Sequence, residues 1–240
     1  FRKNYKLVIS GQAGIGKGEI FNIAIAKPDL FVALTQQMFD WAKTWAWGSK
    51  VVKITNGVNL DKFKPVGEKF DLRLKKPIVL SVGALVWYKH HEKTIGALSL
   101  LKNISLVLVG DGQEKEKLKN LGERLPDDRF KIIQSDYKGL PKIYREADLF
   151  VLPSWEREAF GIVYLEAMAS GLGVVAPNDS SRNEIIGEAG ILTDVSDAHK
   201  YAQAIEKALK ISWKEKALKQ AKKFSWEKVA KQYEEAFEKL

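Results

Sequence analysis

Residues Pro153 to Pro177 read P-S-W-E-R-E-A-F-G-I-V-Y-L-E-A-M-A-S-G-L-G-V-V-A-P. The apolar run Leu149 to Leu152 precedes this stretch, and Gly173-Val174-Val175-Ala176 closes it. Between those runs the spacing is helical, opening near Gly161 and ending at Gly171, so the stretch predicts strand, turn, helix, strand. In an open parallel sheet, ligands bind beyond the carboxyl ends of the strands, and a helix amino terminus there offers free N–H groups to an anion. A glycine at 161 lets the backbone approach such a ligand closely.

Working outward, the same alternation continues. Short β-branched runs recur at Leu7-Val8-Ile9, Phe31 to Leu34, Val51 to Ile54, Ile78 to Val82, Leu106 to Val109 and Phe130 to Ile133. Helical periodicity separates them at Ile95 to Leu101, Glu114 to Leu121 and Ala202 to Leu209. Continuous apolar strands alternating with helices predict an α/β fold, a Rossmann-like parallel sheet with helices on both faces. From Asn56 to Lys76 the apolar runs give way to Asn-Gly, proline and charges, which reads as a linker. The expected division is an incomplete second α/β segment over 1–58, a linker over 59–76, a complete Rossmann-like domain over 77–212, and closing helices over 213–240. In the last of these, Ser225 can cap a helix whose Val229, Tyr233 and Phe237 share a face and pack back toward the first segment.

Composition narrows the chemistry. With 240 residues, 45% of them hydrophobic, the chain can bury a substantial core. It contains no cysteine, which excludes disulfides, a thiol nucleophile and thiolate metal sites and fits a reducing cytoplasm. No apolar run approaches the ~18 residues of a membrane span. The 39 Lys and Arg against 30 Asp and Glu give +9, which favours anionic partners such as phosphates or an anionic lipid surface, or else a plain basic surface.

Glu158 and Glu166 stand eight residues apart in E-A-F-G-I-V-Y-L-E-A-M-A-S-G. This resembles the signature of the family-4 glycosyltransferases, Glu-x7-Glu within E-G-F-G-x-x-x-x-E-A-M-A-x-G. The likeness extends over roughly residues 28 to 240, through P-D-L-F-V-A at Pro28, N-G-V-N-L-D-K-F-K-P at Asn56, V-G-A-L-V-W-Y-K at Val82, V-G-D-G at Val109, A-D-L-F-V-L-P-S at Ala147 and S-W-E-K at Ser225. The resemblance implies the two-domain GT-B fold and a retaining transfer of sugar from a nucleoside diphosphate sugar to an acceptor hydroxyl. The chain would hold the carboxyl-terminal donor-binding domain and a remnant of the amino-terminal, acceptor-side domain. It further implies that Glu166 holds the ribose hydroxyls and Glu158 those of the donor sugar, while backbone N–H groups of Phe160, Gly161 and Ile162 meet sugar and phosphate oxygens. Lys89 would neutralise the diphosphate, which with Glu158 makes these the two catalytic residues, and Gly83 would be the close-approach glycine beside it.

Ala84 stands where the family places an arginine, so a second cation is expected from Lys138, Arg157 or Arg182. Gly110 and Gly112 either line the same crevice or form a plain turn, and Gln134 to Tyr137 would meet the base through backbone groups. The resemblance implies no protein-held metal and no cofactor other than the donor itself. Its partners would be the nucleotide sugar and a sugar, polysaccharide or lipid-linked acceptor, not nucleic acid, with the protein cytoplasmic and in contact with the inner membrane face if the acceptor is a lipid. Because the segment before Asn56 is shorter than an ordinary domain, the chain alone is expected to transfer little sugar, and the alternative is a nucleotide-sugar-binding module without turnover.

Three other readings of these residues stand beside it. The carboxylates could be solvated charges near a helix start. They could be a hydrolytic pair, which needs roughly 5 to 9.5 Å between carboxyl groups where eight helical residues span about 12 Å. Finally, Gly11 to Gly18, G-Q-A-G-I-G-K-G, nearly spells a phosphate-binding P-loop, but Gly18 replaces the hydroxyl that would hold Mg²⁺.

Overall fold

The computed structural model describes residues 5–155 and 158–240. The chain opens with β1 (Val8–Ser10), a glycine-rich loop, a short helix α1 (Lys17–Ile20) and a π-helical turn Phe21–Ile25. There follow β2 (Leu30–Ala33), α2 (Gln36–Trp45) and β3 (Lys50–Lys53). These three strands form one parallel sheet in the order β1-β2-β3. Thr35 caps α2 by accepting from the Met38 N–H, as a hydroxyl at that position does.

After an irregular connection the second sheet begins with β4 (Ile78–Val82), followed by α3 (His91–Ser99), β5 (Ser105–Val109), α4 (Lys115–Gly122), β6 (Phe130–Ile133), α5 (Leu140–Glu146) and β7 (Leu149–Val151). It continues with α6 (Ile162–Ala169), β8 (Val174–Pro177), α7 (Ser180–Ile186), β9 (Gly190–Thr193) and α8 (Ala198–Leu209), and α9 (Lys214–Ala221) and α10 (Trp226–Phe237) end the chain. All six strands are parallel, in the order β6-β5-β4-β7-β8-β9. Strands β4, β5, β7 and β8 are wholly buried, which is why they read as unbroken apolar runs. The order reverses between β4 and β7, and a doubly wound sheet opens its ligand crevice at that switch point.

Helix α10 lies against the first sheet, where its Val229 and Ala236 join a core cluster with Leu30, Val32 and Ile54. Ser225 caps it by accepting from Lys228 N–H. Tyr233 is part-buried, but Phe237 stays half exposed, so the inner face runs through Ala236 where the sequence spacing suggested Phe237. Backbone bonds from Val58 N–H to Phe224 O and from Trp226 N–H to Val58 O tie the entry of α10 to the connection between the sheets.

Candidate functional site

The crevice at the switch point is built by the loops that leave β4 and β7. Gly83 follows β4 and donates its N–H to Val109 O, and a single turn of 3-10 helix, Trp87–Lys89, then presents Lys89. The turn after β5 clamps this loop: Leu85 N–H donates to Asp111 O, and Glu114 N–H to Leu85 O. A Cβ at Gly110 would lie 1.9 Å from Gly83 O, so the tight docking of those two loops requires glycine there. This gives Gly110 a packing role, and it also borders a cavity of about 440 Å³ lined by Asp111, Gln134, Ser135 and Asp136. At Gly83 itself a Cβ would meet only His91, at 3.8 Å, so no protein group forbids a side chain there.

Behind the loop, His91 is buried and fixes it in place. Its Nε2 lies 3.3 Å from Ala84 O, which can only accept, so Nδ1 is the nitrogen that accepts from Ser81 Oγ at 3.2 Å. Burial pushes its pKa down to about 4. His90 takes a left-handed conformation and stacks on Trp155 with centroids 3.7 Å apart and planes 5° from parallel. His199 lies on α8, and among the described residues no cluster of three potential metal ligands forms.

From the β7 side, Trp155 and Glu158 face the same crevice, and the buried Ser154 hydroxyl donates to Tyr88 O at 3.3 Å. Lys89 Nζ meets Glu158 Oε2 at 2.5 Å, with the two side chains only 17% and 9% exposed. The chain then turns through Gly161, whose φ of 86° and 2.5 Å clearance from the Tyr164 ring exclude a Cβ, into α6. Phe160 is buried and packs edge-on against Phe224, so its backbone alone is free to meet a ligand, while Ile162 opens the helix 39% exposed. In the first turn of α6 the Tyr164 N–H donates to Gly161 O, while the N–H groups ahead of it lie before the helical bonding begins.

Glu166 lies one turn into α6 and is 5% exposed. Its Oε2 accepts from Tyr144 hydroxyl at 2.9 Å, and Lys62, whose ammonium sits 3.3 Å above the Tyr137 ring, adds an attractive charge. Burial raises the Glu166 carboxyl pKa, and the Tyr144 bond and Lys62 oppose it. Two carboxylates this buried and separately partnered are not solvated charges at a helix start. Tyr144 and Lys62 were not singled out from the sequence, and Tyr137 was named only for its backbone, at the end of the Gln134 to Tyr137 segment. Lys62 was in view, inside N-G-V-N-L-D-K at Asn56, but the tyrosines have no local spacing that marks them.

Of the cations expected to replace the arginine at 84, Lys138 is exposed and Arg157 lies outside the described residues. Arg182 is buried and already engaged: it donates to Ser154 O at 2.8 Å and pairs with Asp179 at 3.2 Å. It thereby holds the segment leading to Glu158 against α7.

The first sheet faces this crevice across a cleft of about 660 Å³. Ala13 to Gly16, Thr35, Gln37 and Met38 line one wall, and Trp155, Glu158, Ala159, Ser181 and Arg182 the other. The P-loop-like segment therefore borders the cleft, but its interior is taken by an acid. Glu19, 2% exposed, accepts from Ala13 N–H at 3.1 Å and from Asn22 at 3.0 Å, which sets a negative charge where a P-loop would cradle phosphate.

A family model described as "Glycosyl transferases group 1" matches residues 65–225. A phosphatidyl-myo-inositol mannosyltransferase of Mycobacterium leprae is 30% identical over 179 residues, 69% of this chain and 47% of that protein. The sucrose-phosphate synthase of Thermosynechococcus elongatus superposes with a TM-score of 0.85 at 24% identity, over 99% of this chain and 68% of that one. Anabaena Alr3699/HepE, solved in complex with UDP-glucose, superposes with a TM-score of 0.79 at 21% identity, over 98% and 72%. These structures share the GT-B fold. The matched stretches span 29%, 47% and 53% of three curated relatives.

Proposed function

The chain belongs to the group 1 glycosyl transferases, and from that premise we propose that it carries the donor-binding half of a retaining enzyme that moves a sugar from a nucleoside diphosphate to an acceptor hydroxyl. The observation that carries this reading is the Lys89–Glu158 pair at the β4–β7 switch point, beside the amino end of α6.

Each part has a task in such a transfer. As the bond from the anomeric carbon to the diphosphate breaks, negative charge grows on the departing oxygen. Lys89, once drawn from Glu158, and the N–H groups of Gly161 and Ile162 at the start of α6 stabilise that charge electrostatically. Glu166 accepts from the ribose hydroxyls, held in place by Tyr144, and the backbone near Gln134 to Tyr137 receives the base. Glu158 accepts from hydroxyls of the sugar. The acceptor, a sugar, polysaccharide or lipid-linked sugar, enters through the cleft toward the first sheet. No protein-held metal is needed, because the cation and the helix end already oppose the diphosphate. The neighbour solved with UDP-glucose and the mannosyltransferase relative support a hexose donor. Among the described residues no helix is long and apolar enough to cross a membrane, and we place any lipid acceptor at a peripheral contact on the cytoplasmic face.

Titration calorimetry with uridine, guanosine and adenosine diphosphates in EDTA tests the reading. Binding of at least one of them, lost in Lys89→Met, is expected. Binding that requires added Mg²⁺, or none at all, overturns it.

A further inference from the structure

We infer that Glu158 is a specificity-determining residue that makes the site prefer a nucleoside diphosphate carrying a sugar over the bare nucleoside diphosphate. This rests on the donor-site reading above and goes beyond it in assigning a penalty as well as a contact.

Lys89 and Glu158 meet at 2.5 Å, with side-chain exposures of 17% and 9%, so water solvates neither charge well. A diphosphate needs the Lys89 ammonium. Taking it draws the lysine away from Glu158 and leaves a nearly buried carboxylate without its partner, which is far more costly than opening an ion pair at the surface. Tyr144 cannot substitute, since its hydroxyl is already given to Glu166. The terminal nitrogens of Arg182 are held by Ser154 O and Asp179, and its buried Nε makes no bond to Glu158. A bare diphosphate brings no donor for the stranded carboxylate and adds like charge beside it. A sugar on the diphosphate brings hydroxyls that donate to it. The same pair thus opposes the leaving product and accepts the incoming donor. After transfer, Lys89 returns to Glu158 as the bare diphosphate departs.

The test is calorimetry on the 240-residue chain with uridine, guanosine and adenosine diphosphates, each beside a hexose conjugate of the same base, for the parent, Glu158→Gln and Glu158→Asp. For the pair that binds, the parent should favour the conjugate. Glu158→Gln should bind the bare diphosphate about tenfold tighter and the conjugate about tenfold weaker, the lower end of what a charge-assisted hydrogen bond contributes. Glu158→Asp keeps the charge and should keep the preference in direction. Glu158→Gln weakening both forms equally, or leaving their ratio unchanged, overturns the inference while the donor site stands. Absence of all binding in the parent removes the donor-site reading and this inference with it.

Discussion

In the proposed site Glu166 grips a ribose, so Glu166→Ala should weaken nucleotide binding about ten- to a hundredfold, the loss of one charge-assisted bond of ~1.5 to 3 kcal/mol. In the parent a 2′,3′-dideoxy nucleotide should lose a similar factor, and equal affinity for both nucleotides would contradict that role. His91 makes a separate prediction about stability. The unfolded chain protonates this imidazole near its ordinary 6.5, whereas the native one holds out to about 4. Its contribution is therefore full above pH 6.5 and shrinks as pH falls toward 4, by up to roughly 3 kcal/mol. The difference in urea-unfolding free energy between parent and His91→Gln should narrow from pH 7.5 to pH 4.5, and a constant difference would rule this out. Glu158 and Glu166 were legible because both lie in one short motif. Their surroundings were not: Tyr144 reaches Glu166 from α5 and Lys62 from the connection between sheets, and only the folded chain brings those segments together.

At the scale of the element, α6 shows why the motif is spaced as it is. Val163, Leu165 and Met168 are apolar, and almost the whole helix is buried, so hydrophobic periodicity gives way to a continuous apolar run between two glycines. Gly161 starts it. Gly171 ends it with paired bonds, Leu172 N–H to Ala167 O and Gly171 N–H to Met168 O, which close the last turn around a residue with φ of 88°. Alanine at either position meets an unfavourable backbone conformation, but at 161 it also meets the Tyr164 ring at 2.5 Å, against 3.3 Å from Pro65 at 171. Gly161→Ala should accordingly cost more, roughly 2 to 3 kcal/mol against about 1 kcal/mol for Gly171→Ala. Urea unfolding measures both, and the reverse order would mean that Tyr164 yields freely. The buried strands β4, β5, β7 and β8 were readable to within a residue or so because they are apolar throughout, whereas the part-buried β9, G-I-L-T, was not among the runs quoted from the sequence. The π-helical turn at Phe21–Ile25 was not, since nothing in F-N-I-A-I separates it from an ordinary helix.

Across the whole molecule, the two sheets face each other over the cleft and are fastened beside it. Gln36 N–H and Lys53 both donate to Glu184 of α7, and Ser181 donates to Gln37. The proposed donor site sits on one wall, while the opposite wall is a sheet of three strands, and the chain spans about half the length of the mannosyltransferase it matches. Orienting both reactants can supply ~7 to 11 kcal/mol of barrier reduction, so a wall that does not complete acceptor positioning should leave transfer slow. Residues 1–240 alone are expected to bind donor yet form little product, with transfer rising when further acceptor-side α/β sequence is supplied. Robust transfer by the 240-residue chain to a defined acceptor would overturn this. The sequence suggested that the Gly11 to Gly18 glycines border the cleft, as they do, but not the buried acid that holds that loop, Glu19, which reads like any surface glutamate. The most direct measurement of the central claim is a crystal structure with a nucleoside diphosphate hexose bound. The account predicts the diphosphate against Lys89 Nζ and the N–H groups at Gly161 and Ile162, with the ribose on Glu166. A nucleotide seated instead on the Gly11 to Gly18 loop, away from the β4–β7 crevice, would contradict it.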